Sequence, residues 1–279
     1  MEQETPVSGF ITSDDGTRLA YRLDGPTRAP ALVLVNSLGA DLRLWGPQIA
    51  ALSASFHIVR YDTRGHGRSD APAGPYTIDR LGLDLLALLD RLDLASAHLC
   101  GISLGGLTVQ WVAAHRPERV GHVVLANTAS RIGTAEGWQA RIDAVRAGGM
   151  AAVREAVVTR FLSAGFRAAH PRETHAVGAM LQDTDPTGYM AACAALRDAD
   201  LSAVTPSIDR PALIVAGASD EATPPAQSEE LRAAIAGSVV QVLPRTGHLS
   251  NVEQPAVFNA LLLDFLAPGT AHFPDEMIH

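Results

Sequence analysis

Alternating and apolar segments along the chain predict a mostly parallel β-sheet that opens with an antiparallel pair. Residues 9–23 form two alternating runs around Asp15-Gly16, a pattern typical of a hairpin. From Ala31 to Val35 the chain is apolar without interruption, as expected of a strand that is buried on both faces. Helical and strand patterns then alternate, which indicates a doubly wound α/β fold.

The same patterns divide the chain into a core and an inserted segment. Between 127 and 206 the strand signal disappears, and alanine-rich helical stretches such as 150–162 replace it, broken by Gly148-Gly149, Gly165 and Pro171. We interpret residues 128–206 as a helical lid inserted after the sixth strand, between core segments 1–127 and 207–279. The tail after Leu266 is expected to fray. Further strands are predicted at 57–61, 97–101, 120–126, 212–217 and 239–243, and core helices at 45–52, at 77–92, after Ser103 and from Pro255.

Composition narrows the functional classes. The 279 residues are 47% apolar and 19% charged, enough for a sizeable core, and the formal net charge is −8. All 22 basic residues are arginine, so chemistry that requires a lysine amine, such as Schiff bases and the common phosphate-binding loop, is excluded. Arginines scattered through an acidic chain give no footprint for nucleic acid or an anionic membrane. We expect a small-molecule partner.

The cysteines and the apolar runs bear on cellular location. Cys100 and Cys193 each lie in an apolar stretch and are too few for a disulfide framework, which favours a reducing compartment. Met1 to Pro6 shows no targeting pattern, and no segment has eighteen consecutive apolar residues. A cytoplasmic protein without a membrane partner is expected.

A nucleophile elbow is the strongest chemical signal. Gly101-Ile102-Ser103-Leu104-Gly105 fits G-x-S-x-G between a predicted strand and a predicted helix. Glycines are needed there because a side chain would strike the neighbouring strand or helix. G-x-S-x-G also occurs by chance around ordinary turn serines, but this context favours Ser103 as a nucleophile.

A serine nucleophile needs a base and an orienting acid, which follow it along the chain in this fold. Asp220 comes just after the predicted strand 212–217, and His248 just after 239–243. Glu221 is the alternative acid, although the position of Asp220 fits better. The order Ser103, Asp220, His248 is that of an α/β hydrolase.

Acyl transfer also needs donors for the oxyanion. These are normally the backbone N–H after the nucleophile and one from the loop after the first buried strand, here Leu104 and Leu38. The sequence contains no H-E-x-x-H, no paired C-x-x-C and no dinucleotide fingerprint, so no metal or cofactor is expected. Serine in place of aspartate as nucleophile argues against haloalkane dehalogenases and epoxide hydrolases.

Four segments together resemble one family. N-S-L-G-A-D-L-R-L-W, R-Y-D-T-R-G-H-G-R-S, C-G-I-S-L-G-G-L and L-A-N-T-A-S-R-I-G are similar to segments of the 3-oxoadipate enol-lactonases, over residues 10–267. Asn36-Ser37 is more specific than the elbow, because most relatives of this fold have His-Gly there. The resemblance implies cofactor-free hydrolysis of 3-oxoadipate enol-lactone to 3-oxoadipate in bacterial degradation of aromatic compounds.

The implied substrate bears a carboxylate, which needs a local cation in an acidic protein. We expect Arg131 to bind that carboxylate and Trp138 to form a wall of the same pocket, the alternatives being a solvated loop arginine and a lid core residue. Asp62 and Arg64 are expected to be structural. A broad esterase, a perhydrolase, a carbon–carbon bond hydrolase and a slow ligand receptor remain as alternatives with the same triad.

Overall fold

The computed structural model describes residues 7–267, in which eight strands form one sheet in the order β1-β2-β4-β3-β5-β6-β7-β8. Strands β1 and β2 pair antiparallel, β2 pairs antiparallel with β4, and all remaining pairs are parallel. The predicted α/β hydrolase architecture is confirmed. Met1 to Pro6 and, apart from Ala267, the tail expected to fray lie outside the described residues. The strands are β1 Val7–Thr12, β2 Arg18–Asp24, β3 Ala31–Val35, β4 His57–Tyr61, β5 Ala97–Ile102, β6 Val120–Ala126, β7 Ala212–Gly217 and β8 Val239–Leu243.

The register of the parallel strands gathers the functional loops at one edge. Val35, the last residue of β3, lies opposite Gly101 near the end of β5. Gly217 at the end of β7 lies opposite Leu243 at the end of β8. Because parallel strands all end at the same edge, the loops that follow β3, β5, β7 and β8 meet there.

Helices cover the sheet on both sides and bury its central strands. In β3 the four residues after Ala31 are fully buried, as their apolar run predicts. Thr77 caps the helix that follows β4 by accepting a hydrogen bond from the N–H of Arg80 at 3.1 Å. In residues 7–267 no helix has the length and hydrophobicity to span a membrane. The core helices are α1 Gly46–Leu52, α2 Ile78–Arg91, α3 Leu104–His115, α9 Pro225–Ala234, α10 Ser250–Glu253 and α11 Pro255–Leu266.

Five α-helices and no strand lie between β6 and β7 in the described chain. Gly149, with φ 62°, ends the first of them, and Pro171 begins the fourth at the expected break. Gly165 does not break a helix, contrary to the prediction. The break lies two residues earlier, because Ser163 caps the third helix by accepting from Phe166 N–H, and Gly165 lies inside it. These helices are α4 Ala135–Gly148, α5 Ala151–Phe161, α6 Ala164–Ala169, α7 Pro171–Asp183 and α8 Pro186–Asp198.

Candidate active site

Ser103 lies at the sharp turn from β5 into α3, with φ 57° and ψ −117°. Its N–H donates to the carbonyl of Ala126 at 3.0 Å, and the hydroxyl of Thr128 donates to its carbonyl oxygen at 2.8 Å. A Cβ at Gly101 would clash with the backbone of Gly105, so the turn needs glycine at that position. These contacts hold a serine in a backbone conformation that is otherwise unfavourable, and the hydroxyl is presented at the end of the sheet.

His248 is paired with Asp220. Nδ1 of the imidazole lies 2.9 and 3.1 Å from the two carboxylate oxygens, and both side chains are buried. Since the proton on Nδ1 is donated to the carboxylate, Nε2 is the basic nitrogen. The backbone N–H of His248 donates to the carbonyl of Phe161 at 2.9 Å, and the two rings lie 5.0 Å apart between centroids. The segment between β6 and β7 therefore helps to fix the imidazole.

Four donors besides the imidazole stabilise the Asp220 carboxylate. The N–H groups of Ala222 and Thr223, the hydroxyl of Thr223 and the side-chain amide of Asn127 donate to it at 2.7 to 3.0 Å. Burial alone would raise the pKa of Asp220, but the nearby imidazole of His248 and these hydrogen bonds outweigh it and lower the pKa to about 2. The carboxylate therefore stays ionised beside the imidazole.

Asn127, which sequence reasoning missed, joins three of the active-site loops. Besides its bond to Asp220, its amide donates to the carbonyl of Gly247 at 3.1 Å, and Ser250 donates to its side-chain oxygen at 2.6 Å. A polar residue directly after the apolar strand β6 was the available signal, because that position lies at the edge where the loops gather.

Glu221, the alternative acid, lies on the surface. Glu221 is exposed, whereas Asp220 is 4% exposed and contacts the imidazole. Of the histidines in residues 7–267, His248 alone lines the cavity around Ser103, which the others do not reach. Those others are His57, His66, His98, His115, His122, His170 and His175.

Two backbone N–H groups, those of Leu38 and Leu104, are candidate donors for an oxyanion. Leu38 follows β3, and Leu104 opens α3 directly after Ser103. Within residues 7–267 neither N–H has a hydrogen-bond partner, although both residues are buried. A buried donor without a partner is costly, which is the arrangement expected of amides kept for a developing negative charge.

The loop that contains Leu38 is fixed by side chains of the R-Y-D-T-R-G-H-G-R-S segment. Gly39 N–H donates to Nε2 of His66 at 2.9 Å, and Nδ1 of the same ring lies 3.1 Å from the carbonyl of Arg64. Leu42 N–H donates to the carboxylate of Asp62 at 2.7 Å. Burial lowers the pKa of His66 and raises that of Asp62 to about 6. His66 must be neutral with its proton on Nδ1 to accept this bond.

One group of carboxylates in the described residues is compact enough to hold a metal ion: Asp14, Asp15 and Asp84. Arg64 pairs with Asp84 and with Asp15, the latter at 2.9 Å, and Arg80 pairs with Asp14. The cluster is thus a network of ion pairs that joins the β1–β2 turn to α2. This position fits the structural role expected of Arg64.

A cavity of about 360 Å³ connects these groups. Ser103 Oγ and His248 Nε2 both face it without a hydrogen-bond partner among residues 7–267. The core and the segment between β6 and β7 each contribute to the walls, so a ligand inside would touch both. The lining residues are Leu38, Ser103, Ile132, Gly133, Thr134, Gly137, Trp138, Arg141, Arg160, Phe161, Ala222 and His248.

The two residues expected to bind substrate differ in position. Trp138 lines the cavity, with its indole N–H donating to the carbonyl of Ile132 at 2.6 Å. Arg131 does not line it; its exposed side chain lies 3.8 Å from the carboxylate of Asp200. The cations that line the cavity are instead Arg141 and Arg160. Arg141 could have been predicted from its spacing, because it follows Trp138 by three residues on one helix, which places the two side chains on the same face.

Comparison with known proteins agrees with this geometry. Residues 30–255 match the α/β hydrolase fold family. A 3-oxoadipate enol-lactonase of Acinetobacter baylyi is 43% identical over 91% of this chain and 96% of its own. The crystal structure of the enol-lactonase from Burkholderia xenovorans LB400 has a TM-score of 0.91 at 44% identity, covering 92% of this chain and 99% of its own. A putative carbamate hydrolase RutD of Variovorax paradoxus is 33% identical over 91% and 97%. The chain therefore belongs to the 3-oxoadipate enol-lactonase family of α/β hydrolases.

Proposed function

We propose that this protein hydrolyses 3-oxoadipate enol-lactone to 3-oxoadipate through an acyl-enzyme on Ser103. The observation that carries the proposal is the convergence of Ser103, His248 and the free amides of Leu38 and Leu104 at the catalytic end of the sheet. These are the nucleophile, the base and the oxyanion donors that acyl transfer requires. The identity of 43% to an enol-lactonase supports the choice of substrate.

In the acylation step, Nε2 of His248 takes the proton of the Ser103 hydroxyl as the oxygen attacks the lactone carbonyl. The tetrahedral oxyanion accepts hydrogen bonds from the N–H groups of Leu38 and Leu104. Collapse of this intermediate breaks the ring C–O bond, and the enolate leaves with the proton from His248. The ionised Asp220 holds the imidazole in the required tautomer and stabilises its cation.

In the deacylation step, His248 takes a proton from water, which attacks the acyl carbon of the Ser103 ester. The second tetrahedral intermediate uses the same two amides, and its collapse returns the proton to Ser103 and releases the new carboxylate. The leaving enol stays tethered to the acyl group and converts to a ketone, which disfavours ring closure. The reaction therefore needs no cofactor.

The rest of the cavity fits a small anionic ring. Its volume is suited to a substrate of this size, and Ile132, Trp138 and Phe161 provide apolar surface beside the nucleophile. Carbamate hydrolysis, the activity named for relatives at 31–35% identity, would use the same triad. The enol-lactone is favoured because identity to the enol-lactonases is higher and because two arginines line the cavity.

We also propose that residues 128–206 act as a lid, since residues of α4 and α5 form much of the cavity wall. A cytoplasmic location is proposed as well. Both cysteines, Cys100 and Cys193, are buried free thiols, the state that a reducing compartment maintains.

Trapping the covalent intermediate tests the proposed chemistry. The protein is mixed with an excess of a p-nitrophenyl ester, quenched in acid, and digested for mass spectrometry. We expect the acyl mass on the peptide that contains Ser103 and none in Ser103→Ala. An acyl group on another residue, or turnover by Ser103→Ala at the wild-type rate, would contradict an acyl-enzyme at this serine.

A further inference from the structure

Two arginines from the lid line the catalytic cavity, Arg141 on α4 and Arg160 on α5. Among residues 7–267 no carboxylate lies within ion-pair distance of either guanidinium, and no acidic residue lines this cavity. The protein as a whole carries a net charge of −8. A cavity with two cations and no acid is thus a local reversal of that charge, and it favours anions over neutral ligands.

Arg141 is the more restricted of the two. Its side chain is half-buried, and its guanidinium carbon lies 4.8 Å from the centre of the Trp138 ring. The Trp138 ring is itself fixed by the hydrogen bond from its N–H to Ile132. On the α8 side Arg141 lies beside the hydroxyl of the buried Tyr189 and near the buried Cys193, neither of which carries a negative charge to pair with it. Burial raises the pKa of the Cys193 thiol to about 12, and the positive charge of Arg141 opposes that rise.

The neighbouring lid arginines show what is unusual about Arg141. Arg154 and Arg167 are also half-buried without a carboxylate, but each donates to a backbone carbonyl, of Gly178 and Leu162 respectively, at 3.2 Å. Arg146, on the same helix as Arg141, pairs with Asp143 at 2.6 Å. Arg141 faces the cavity with its charge uncompensated, and a fixed cation loses little entropy when an anion binds.

Arg160 has a different setting. It is exposed, and it lines both the catalytic cavity and an adjoining one of about 390 Å³ whose wall also contains Arg167, Arg245 and Glu221. Three arginines and one acid make this second cavity positive as well. Arg160 therefore borders both cavities, one of which contains Ser103.

We propose that Arg141 binds the carboxylate of the substrate and that Arg160 guides the anion inward, so that these two residues set the preference for acidic lactones. The inference rests on the proposed function and extends it, because it assigns substrate selection to Arg141 and Arg160 in place of Arg131. A charge-assisted bond from a fixed guanidinium is strong enough to give a roughly 10- to 100-fold preference.

The test compares two lactones that differ in one charge. They are 3-oxoadipate enol-lactone and the analogue in which its free carboxylate is a primary amide, assayed by loss of the lactone ring. We expect Arg141→Gln to lower kcat/KM for the acid roughly 10- to 100-fold and for the amide less than about 3-fold. Arg141→Lys should recover part of the preference, and Arg160→Gln should mainly weaken the salt dependence of kcat/KM for the acid.

Two controls complete the design. Arg146→Gln changes an exposed arginine of the same helix and should alter neither rate, and Arg131→Gln tests the competing site directly. Equal losses for both lactones in Arg141→Gln, no loss for either, or a selective loss in Arg131→Gln would overturn the inference. If the wild-type protein opened both lactones efficiently and without preference, the inference would be overturned but the proposed hydrolase function would stand. Failure of the wild-type protein to open the acidic lactone would instead overturn the proposed function together with the inference.

Discussion

The carboxylate of Glu253 accepts hydrogen bonds from both the backbone N–H and the hydroxyl of Ser163, at 2.8 and 2.6 Å. It also accepts from the N–H of Gly247, next to His248, at 3.1 Å. One half-buried acid thus joins the start of α6, in the proposed lid, to the loop that carries His248. The proposed lid and the proposed catalytic base are therefore positioned by a shared contact.

Removing this acid should disturb both partners. Glu253→Ala leaves three donors without their acceptor, and we expect a loss of about 2–4 kcal/mol in the free energy of unfolding together with a lower kcat. Glu253→Gln keeps one acceptor oxygen and should lose less of both. Urea denaturation and steady-state kinetics on the two variants measure this. An unchanged kcat and an unchanged unfolding midpoint in Glu253→Ala would show that the contact has no such role.

His66 is expected to affect catalysis by positioning the loop that contains Leu38, a proposed oxyanion donor. Because its Nε2 accepts from Gly39 N–H, His66→Ala should let the neighbouring Leu38 amide shift. We predict a loss of roughly 10- to 100-fold in kcat with a smaller change in KM, since the oxyanion exists only along the reaction path. His66→Gln can still accept a hydrogen bond and should recover part of the rate. A rise in KM with an unchanged kcat in His66→Ala would contradict a positioning role.

The lowered pKa of Asp220 predicts a specific acid sensitivity. Its carboxyl titrates near 2 in the folded protein, against 3.8 for the ordinary group, so the unfolded chain binds a proton first as the pH falls. This linkage contributes about 2 kcal/mol at neutral pH, and about 1 kcal/mol of it should be lost by about pH 3.

The ionisation of Asp220 can be followed directly by NMR. The carboxyl ¹³C signal that is absent from Asp220→Asn should keep its ionised shift down to about pH 3 and change with a midpoint near 2. A midpoint near the ordinary 3.8 would contradict the lowered pKa.

Gly105 is tightly packed and Gly165 is not, so we expect substitution by alanine to have opposite effects on stability at the two positions. A Cβ at Gly105, in the elbow, would strike the backbone carbonyls of Val35 and Asn36, whereas a Cβ at Gly165, in α6, meets nothing within 4 Å. Gly105→Ala should therefore cost more than about 3 kcal/mol or prevent folding. Gly165→Ala should stabilise by up to about 1 kcal/mol, because alanine favours helix. Thermal unfolding distinguishes them, and similar effects of the two changes would contradict the close packing at the elbow.

Much of the fold was predictable because its core elements follow local rules. Apolar runs located β3, β4 and β6 at their observed bounds, and the elbow motif located the turn at Ser103. The order of serine, acid and histidine selected Asp220 and His248, which the structure places in contact. These inferences depend on where the strands end, and the sequence shows this well because each apolar run stops at a glycine, a proline or a polar residue.

The segment between β6 and β7, the proposed lid, was less predictable because its alanine-rich helices lack a clear apolar face. Sequence alone does not tell which side of α4 meets the cavity, so Arg131, before that helix, was named as the substrate-binding cation and Arg141, within it, was missed. The role of Asn127 and the bond between His66 and Gly39 depend on contacts between segments distant along the chain. Only the assembled fold brings these groups together.

The measurement that tests the central claim most directly is hydrolysis of freshly prepared 3-oxoadipate enol-lactone and of a neutral p-nitrophenyl ester by wild type and Ser103→Ala. We predict a higher kcat/KM for the enol-lactone, formation of 3-oxoadipate, and a loss of about 10³- to 10⁶-fold in kcat for a folded Ser103→Ala. Preference for the neutral ester would retain the triad but contradict the proposed substrate. Wild-type rates in Ser103→Ala, or turnover of neither compound by the wild-type protein, would contradict the serine lactonase itself.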